Sequence, residues 1–184
     1  LSAAAMSEQD HALKGQFSRW MSQYDALRPE RIPYSSGQPV AIPGKVEVEC
    51  YDYGYPGATY HDTTEGNSGK GFYRSDDVDI VSKNGRHRVT NTKAGEWLEY
   101  SVDIKQTGTY MVSVTYAGTR AGAIRIERSG QTLVDSTSLK PTGAMDRYES
   151  VRVGEVRLEA GRQVLRLHIK QGGMQLDHFT IRAN

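Results

Sequence analysis

The stretch AGEWLEYSVDI, residues 94–104, decides the fold. Leu98, Tyr100, Val102 and Ile104 fall on one side of an alternating pattern, with Trp97, Glu99, Ser101 and Asp103 on the other. This is the period of two of a half-buried strand, whose successive side chains point to opposite faces. The apolar set must face a core, which leaves a tryptophan among carboxylates on the wet side.

The same period recurs along most of the chain. Segments 46–50, 97–104, 109–117, 123–129, 149–158, 163–170 and 175–182 read as strands, and 71–74, 78–81 and 131–136 as weaker ones, separated by Gly, Asn or Pro. Many short strands with turn signals between them and no second helical pattern predict an all-β sandwich of antiparallel sheets. The inward set is Leu98, Tyr100, Val102, Tyr110, Val112, Val114, Tyr116, Ile124, Ile126, Val151, Val153, Val156, Leu158, Leu165, Leu167, Ile169, Phe179 and Ile181. Full burial of one such side chain contributes about 1.5–3 kcal/mol, so a two-sheet core is well supplied and function falls to the outward residues and loops.

Ahead of the strands, residues 7–28 carry Leu13, Phe17, Trp20, Tyr24 and Leu27 at steps of four and three, one face of an amphipathic helix that Pro29 brings to an end. Such a stripe has to cover another surface. The sequence thus divides into a helical lead-in over 1–28, a Pro/Gly/Ser linker over 29–45 and a β-sandwich over 46–184.

Composition narrows the function. Of 184 residues, 23 are Lys or Arg and 22 are Asp or Glu, a near balance with no long-range field to gather polyanions, so nucleic acid is not expected as a partner. The mean hydropathy of -0.62 and the lack of a long apolar run argue against a membrane span. One cysteine, Cys50, excludes an internal disulfide and a multi-cysteine zinc site.

The outward residues offer chemistry. Arg125 and Glu127 point outward on AIRIER, and Arg166, His168 and Lys170 on VLRLHIK. If these strands share a sheet with Trp97 and Glu99, they make a polar face bearing one flat ring, an arrangement suited to a sugar: the ring meets the C–H face and the polar groups meet hydroxyls. The plainer alternative is a Trp97 tucked under a loop beside solvated charges. Glu96 with Glu99, or Glu99 with Glu127, could be taken for a glycosidase pair. Neighbours such as Arg125 hold such carboxylates ionised, however, whereas a general acid needs a raised pKa, and no catalysis is expected here. Two residues apart, Glu47 and Glu49 would share a strand face, and such neighbouring carboxylates suit calcium or stand as two solvated charges.

From KVEVEC at 45–50 through YHDTT, DDVDI, AGEWLEY and TGTYMVSV to the late LRL strand and GGMQLDHF, the sequence resembles a family 6 carbohydrate-binding module over about 46–182. The resemblance implies a β-jelly-roll that binds polysaccharide without catalysing a reaction and rides on a secreted bacterial glycoside hydrolase, placing it outside the cell, in the periplasm or at the cell surface. It also implies a structural calcium at Glu47, Glu49 and Asp177. Two sugar sites are implied as well. The concave-face site would use Trp97 and Glu127, beside which the alternation sets Glu99 as a third sugar contact, and the loop site falls at Asn91, Met145 and Gln175, where both aromatic planes are missing. An offset of one or two residues would bring Tyr148 into it. The YHDTT loop, with Tyr60, could rebuild the loop site, or stand as a packed loop with Tyr60 in the core. The competing reading is a structural jelly-roll whose sugar sites have decayed and which packs against the catalytic domain of its parent chain.

Overall fold

The computed structural model describes residues 31–71 and 73–184; the helix expected within 1–28 lies outside the described residues. In chain order the strands are β1 (Val40–Ile42), β2 (Gly44–Glu47), β3 (Tyr60–His61), β4 (Ile80–Lys83), β5 (Arg86–Val89) and β6 (Trp97–Ile104). There follow β7 (Gly108–Gly118), β8 (Gly122–Arg128), β9 (Gln131–Leu139), β10 (Glu149–Leu158), β11 (Gly161–Gln171) and β12 (Met174–Ala183). They build two six-stranded sheets, one ordered β1-β6-β11-β8-β9 with β3 also on β6, the other β10-β7-β12-β5-β4 with β2 also on β12. The fold is the all-β sandwich that the alternation predicts, consistent with the jelly-roll that the family resemblance implies. Among these strands the one parallel pairing is β1 on β6.

The inward set is buried between the sheets, except that Val151 is half-buried against the edge of the cluster. Tyr100 shows how the interior is fixed: its ring meets Phe179 edge-on at 5.2 Å across the sandwich, and its hydroxyl donates to the Val48 carbonyl at 2.8 Å. A buried phenol thereby keeps its hydrogen bond. The β11–β12 turn needs its glycines. A Cβ on Gly172 would stand 1.8 Å from the Thr92 carbonyl oxygen, and Gly173 has φ +94, a conformation that favours glycine.

Two boundaries differ from the sequence reading. The strand expected over 46–50 ends at Glu47, and Val48–Cys50 form a 3-10 turn. Val48 is drawn fully into the core by that turn, so Glu47 and Glu49 do not share one strand face as their spacing suggests. From Arg31 on, the segment read as a linker over 29–45 is part of the sandwich: β1 pairs with β6 in one sheet, β2 with β12 in the other, and the compact unit runs from Arg31 to Asn184. Its prolines are compatible with this because Pro39 precedes β1 and Pro43 lies between β1 and β2, where no ladder donor is lost.

Candidate functional site

Strands β6, β11 and β8 are neighbours, and their register aligns the outward residues in two rows. Trp97 stands opposite His168, and His168 opposite Arg125; one step along, Glu99 stands opposite Arg166, and Arg166 opposite Glu127. Strand β3 adds His61 beside Trp97, with ring centroids 6.4 Å apart.

This face is closed by its own charges. Glu99 is only 6% exposed and is gripped from two sides, by Arg31 and by the Arg166 Nε at 2.7 Å. Arg31 also holds Asp52 at 2.9 Å, and Asp52 in turn accepts from the Ser101 hydroxyl at 2.7 Å. The Arg166 guanidinium lies over the Trp97 ring, 3.9 Å from its centroid, in the geometry of a cation–π contact. Glu127 receives the His168 Nε2 at 2.7 Å and pairs with Arg125. Burial pushes the His168 pKa down, the Arg125 and Arg166 charges add to that, and the Glu127 hydrogen bond only partly opposes it. Burial would raise Glu127, but the His168 bond and the nearby Arg charges outweigh it and hold the carboxyl below its ordinary value. A neutral imidazole therefore faces an ionised carboxylate, neither of them suited to act as a general acid.

The second concavity lies at the other sheet. A cavity of about 710 Å³ opens between the β4–β5 hairpin, β12 and the connection from β9 to β10, with Lys83, Arg86, Arg88, Met145, Tyr148 and Gln175 among its lining residues. Alternation on β5 sends Arg86 and Arg88 to the same side. Tyr148 donates its hydroxyl to the Gln175 Oε1 at 2.5 Å, and the Arg88 guanidinium packs 4.4 Å from the Tyr148 ring centroid. The amide of Gln175 is thus oriented, with its NH₂ group left to donate.

A smaller cavity of about 270 Å³ gathers Glu47, Glu49, Asp177 and His178. Potential ligand atoms of Glu47, Asp177 and His178 lie within 4.8 Å of one another. Lys45 pairs with Glu47, Arg88 lies 2.8 Å from Asp177, and the Nδ1 of His178 is 2.8 Å from the same carboxylate. Glu49 is different. One of its carboxyl oxygens is buried with no hydrogen-bond partner among the described residues, and burial first, then Glu47 and Asp177, push its pKa up to about 7.

Comparison with known proteins gives these surfaces a context. Residues 64–183 match the family model described as carbohydrate binding module (family 6). The chain belongs to carbohydrate-binding module family 6. It is a noncatalytic sugar-binding module. Among solved structures it is similar to the module of Cellvibrio mixtus lichenase 5A in complex with cellotriose, at 19% identity and TM-score 0.56 over 77% of this chain and 98% of that one. A Clostridium stercorarium module in complex with cellobiose matches at 19% identity and TM-score 0.59, covering 80% and 99%. A Bacillus subtilis glycoside hydrolase family 43 arabinoxylan arabinofuranohydrolase in complex with cellotetraose matches at 15% identity and TM-score 0.56, over 80% of this chain and 28% of that chain. No curated protein matches the sequence.

Within this module the expected site residues separate. Met145 and Gln175 come together in the large cavity, and Tyr148 joins them. Asn91 does not line it; its side chain donates to the Ser68 hydroxyl at 3.1 Å. Of the two readings of Tyr60 the structure has the packed one and not the sugar contact: it is 3% exposed and packs 5.7 Å from the Tyr51 ring. Trp97 and Glu127 share the sheet face with Glu99, but Glu99 is enclosed between two arginines. Glu96 caps a turn, accepting from the Lys93 N–H and the Thr63 hydroxyl. Arg31, Arg86 and Arg88 were not singled out in the sequence. For the last two the signal was present as the alternation in RHRV, masked because a four-residue basic strand lacks an apolar stripe.

Proposed function

We propose that the module binds its polysaccharide in the cavity beside the β4–β5 hairpin, with Tyr148, Met145 and Gln175 as sugar contacts. The observation that carries this reading is the meeting of all three in one roomy concavity, where a ring and an oriented amide converge. A pocket with a few convergent polar groups is the expected form of a small-ligand site. A second reading puts the sugar on the sheet face at Trp97, favoured by the half-buried ring in register with His168. It is weakened by the Arg166 guanidinium over the ring and by the ion pairs that engage Glu99 and Glu127. The two are separated by titrating a panel of soluble polysaccharides into Tyr148→Ala and Trp97→Ala: the cavity reading requires the first to lose affinity and the second to keep it.

We also propose a structural calcium held by Glu47, Glu49 and Asp177. The partnerless buried oxygen of Glu49 supports it, because a desolvated carboxylate needs a cation. The all-oxygen donor set suits calcium, whose charge would offset the mutual repulsion of three carboxylates. Lys45, half exposed on Glu47, would have to yield. A ligand bound only by the native state raises stability, so chelator should lower the melting temperature and added calcium should restore it. An unchanged melting temperature with no metal found by elemental analysis would remove this proposal.

The module is further proposed to serve a larger bacterial glycoside hydrolase outside the cytoplasm, a reading supported by the arabinofuranohydrolase that contains a similar domain within a longer chain. Deleting the module from such a parent should lower activity on insoluble polymer and spare activity on short soluble substrates. Equal loss on both would point instead to a domain that holds the catalytic fold together.

A further inference from the structure

We infer that the cavity takes an anionic sugar, a glycan unit bearing a carboxylate or a sulfate ester, held by Lys83, Arg86 and Arg88. The inference rests on the reading of this cavity as the sugar site and adds the chemical class of its ligand.

The hairpin register brings these cations together. Lys83 pairs across the hairpin with Arg86, and Val81 with Arg88, so two adjacent cross-strand positions supply three positive charges to one concavity. The acidic residue on the wall is Asp146, which lies 3.9 Å from Lys83 with both side chains largely exposed. An exposed pair of that kind is screened and contributes little. Arg86 makes no ion pair among the described residues, although it also borders the smaller acidic cavity. Arg88 is 8% exposed and therefore costly to keep charged without good partners. Its Nε lies 2.8 Å from Asp177 yet lacks hydrogen-bond geometry there, and its guanidinium is braced against Tyr148.

A neutral sugar would answer none of these charges. A carboxylate or sulfate would, since arginine forks match the paired oxygens of either group and such charge-assisted bonds are stronger than neutral ones. The preference cannot come from the bulk field, because the whole chain carries a formal net charge of only +1. Tyr148 and Gln175 then serve the ring and hydroxyls of the same unit. The cavity has the parts of a sugar site with an anion holder at one wall.

The test is calorimetric titration of the full chain with two matched pairs: glucuronoxylan beside its carboxyl-reduced form, and a sulfated galactan beside its desulfated form. Polyacrylate serves as an anionic chain without sugar. One native polymer should bind about tenfold or more tighter than its neutralised partner, the scale of a charge-assisted hydrogen bond. Which pair shows the difference identifies carboxylate or sulfate as the source. The double variant Lys83→Ala/Arg86→Ala, altered at exposed positions, should keep its melting temperature and lose most of the preference for the native polymer, with Arg88 alone left to hold the anion. Equal affinity for native and neutralised forms, with Tyr148→Ala still weakening binding, would overturn the anionic inference and leave the cavity as a neutral-sugar site. A preference undiminished in the double variant, or equal binding of polyacrylate, would also overturn it. Binding indifferent to both the Tyr148 and the double variant would overturn the cavity reading together with the inference.

Discussion

The outer face of β6, β11 and β8 and the cavity beside β4 and β5 both collect arginines, but to opposite effect. On the sheet face both carboxylates are answered: Glu99 lies between Arg31 and Arg166, and Glu127 between His168 and Arg125. In the cavity, Lys83, Arg86 and Arg88 line one space, and the acidic lining residue is Asp146 alone. A cross-strand ladder of alternating sign is a structural device. Three cations around a hollow, with only Asp146 and Asp177 near two of them among the described residues, leave room for an anion to complete the set.

Breaking the sheet face should have the largest effect. Glu99→Ala leaves Arg31 and Arg166 facing each other across a buried position and also strips the contact that holds Arg166 on Trp97. Removing one partner of a buried ion pair costs about 3–5 kcal/mol, and the partial exposure of both arginines reduces that to about 2–3 kcal/mol. Urea unfolding reads the difference directly. A loss below about 0.5 kcal/mol, the range of ordinary surface changes, would mean that the network contributes nothing and that this face is free for ligand.

The cavity should respond in affinity rather than stability. Tyr148→Ala removes the ring and the hydroxyl that orients Gln175. An aromatic contact of about 0.5–1.5 kcal/mol together with a hydrogen bond near 1 kcal/mol corresponds to a fall of about ten- to seventyfold in polysaccharide affinity. Unaltered affinity would shift the sugar site back towards Trp97.

Acid should act on the sheet face more gently. The His168 pKa is depressed in the fold, so below about 6.5 the unfolded imidazole takes up a proton that the folded one resists. The contribution of His168 is therefore present above that pH and is lost as pH falls towards the lowered folded value. Glu127 is depressed too, and its contribution fades at still lower pH, below about 4.3, where unfolded carboxyls protonate. Melting temperature should decline on acidification in both windows, and His168→Gln should flatten the upper one. An identical slope in the variant would show that other groups set the acid response.

The contrast between the two surfaces also marks what the sequence could show. The sandwich and its core were legible because alternation is local: Leu98, Tyr100, Val102 and Ile104 declare their face without knowledge of a partner strand. The sharing of one sheet by Trp97, Glu99, Arg166, His168 and Glu127 was stated only as a condition, and the register meets it. What stayed hidden depends on distant chain. Arg31 reaches Glu99 across 68 positions in sequence, from a segment read as a linker because of its prolines. Glu47 and Glu49 were given one face by their spacing, which the turn at Val48–Cys50 cancels. Tyr148 was placed near the loop site only by allowing an offset in the alignment, since no local pattern marks which loop covers which strand.

The smallest expected effect is the one that bears most on the opening tryptophan. Trp97 is half-buried, with a guanidinium over its ring and His61 to its side. A sugar stacking on the occupied face would have to dislodge Arg166, and Arg166 is anchored to one Glu99 oxygen by a hydrogen bond from Nε and an ion-pair contact from Nη2. Trading a held cation for a neutral ring returns little net energy, because hydroxyls only exchange water bonds for protein bonds. Trp97→Ala should therefore cost about 0.5–1 kcal/mol of stability, the value of an exposed cation–π contact, and leave polysaccharide affinity within about twofold, under 0.5 kcal/mol. If affinity instead collapses while the Tyr148 variant binds normally, Arg166 must swing aside on binding, and the charged ladder would be a gate over the ring rather than a finished structural surface.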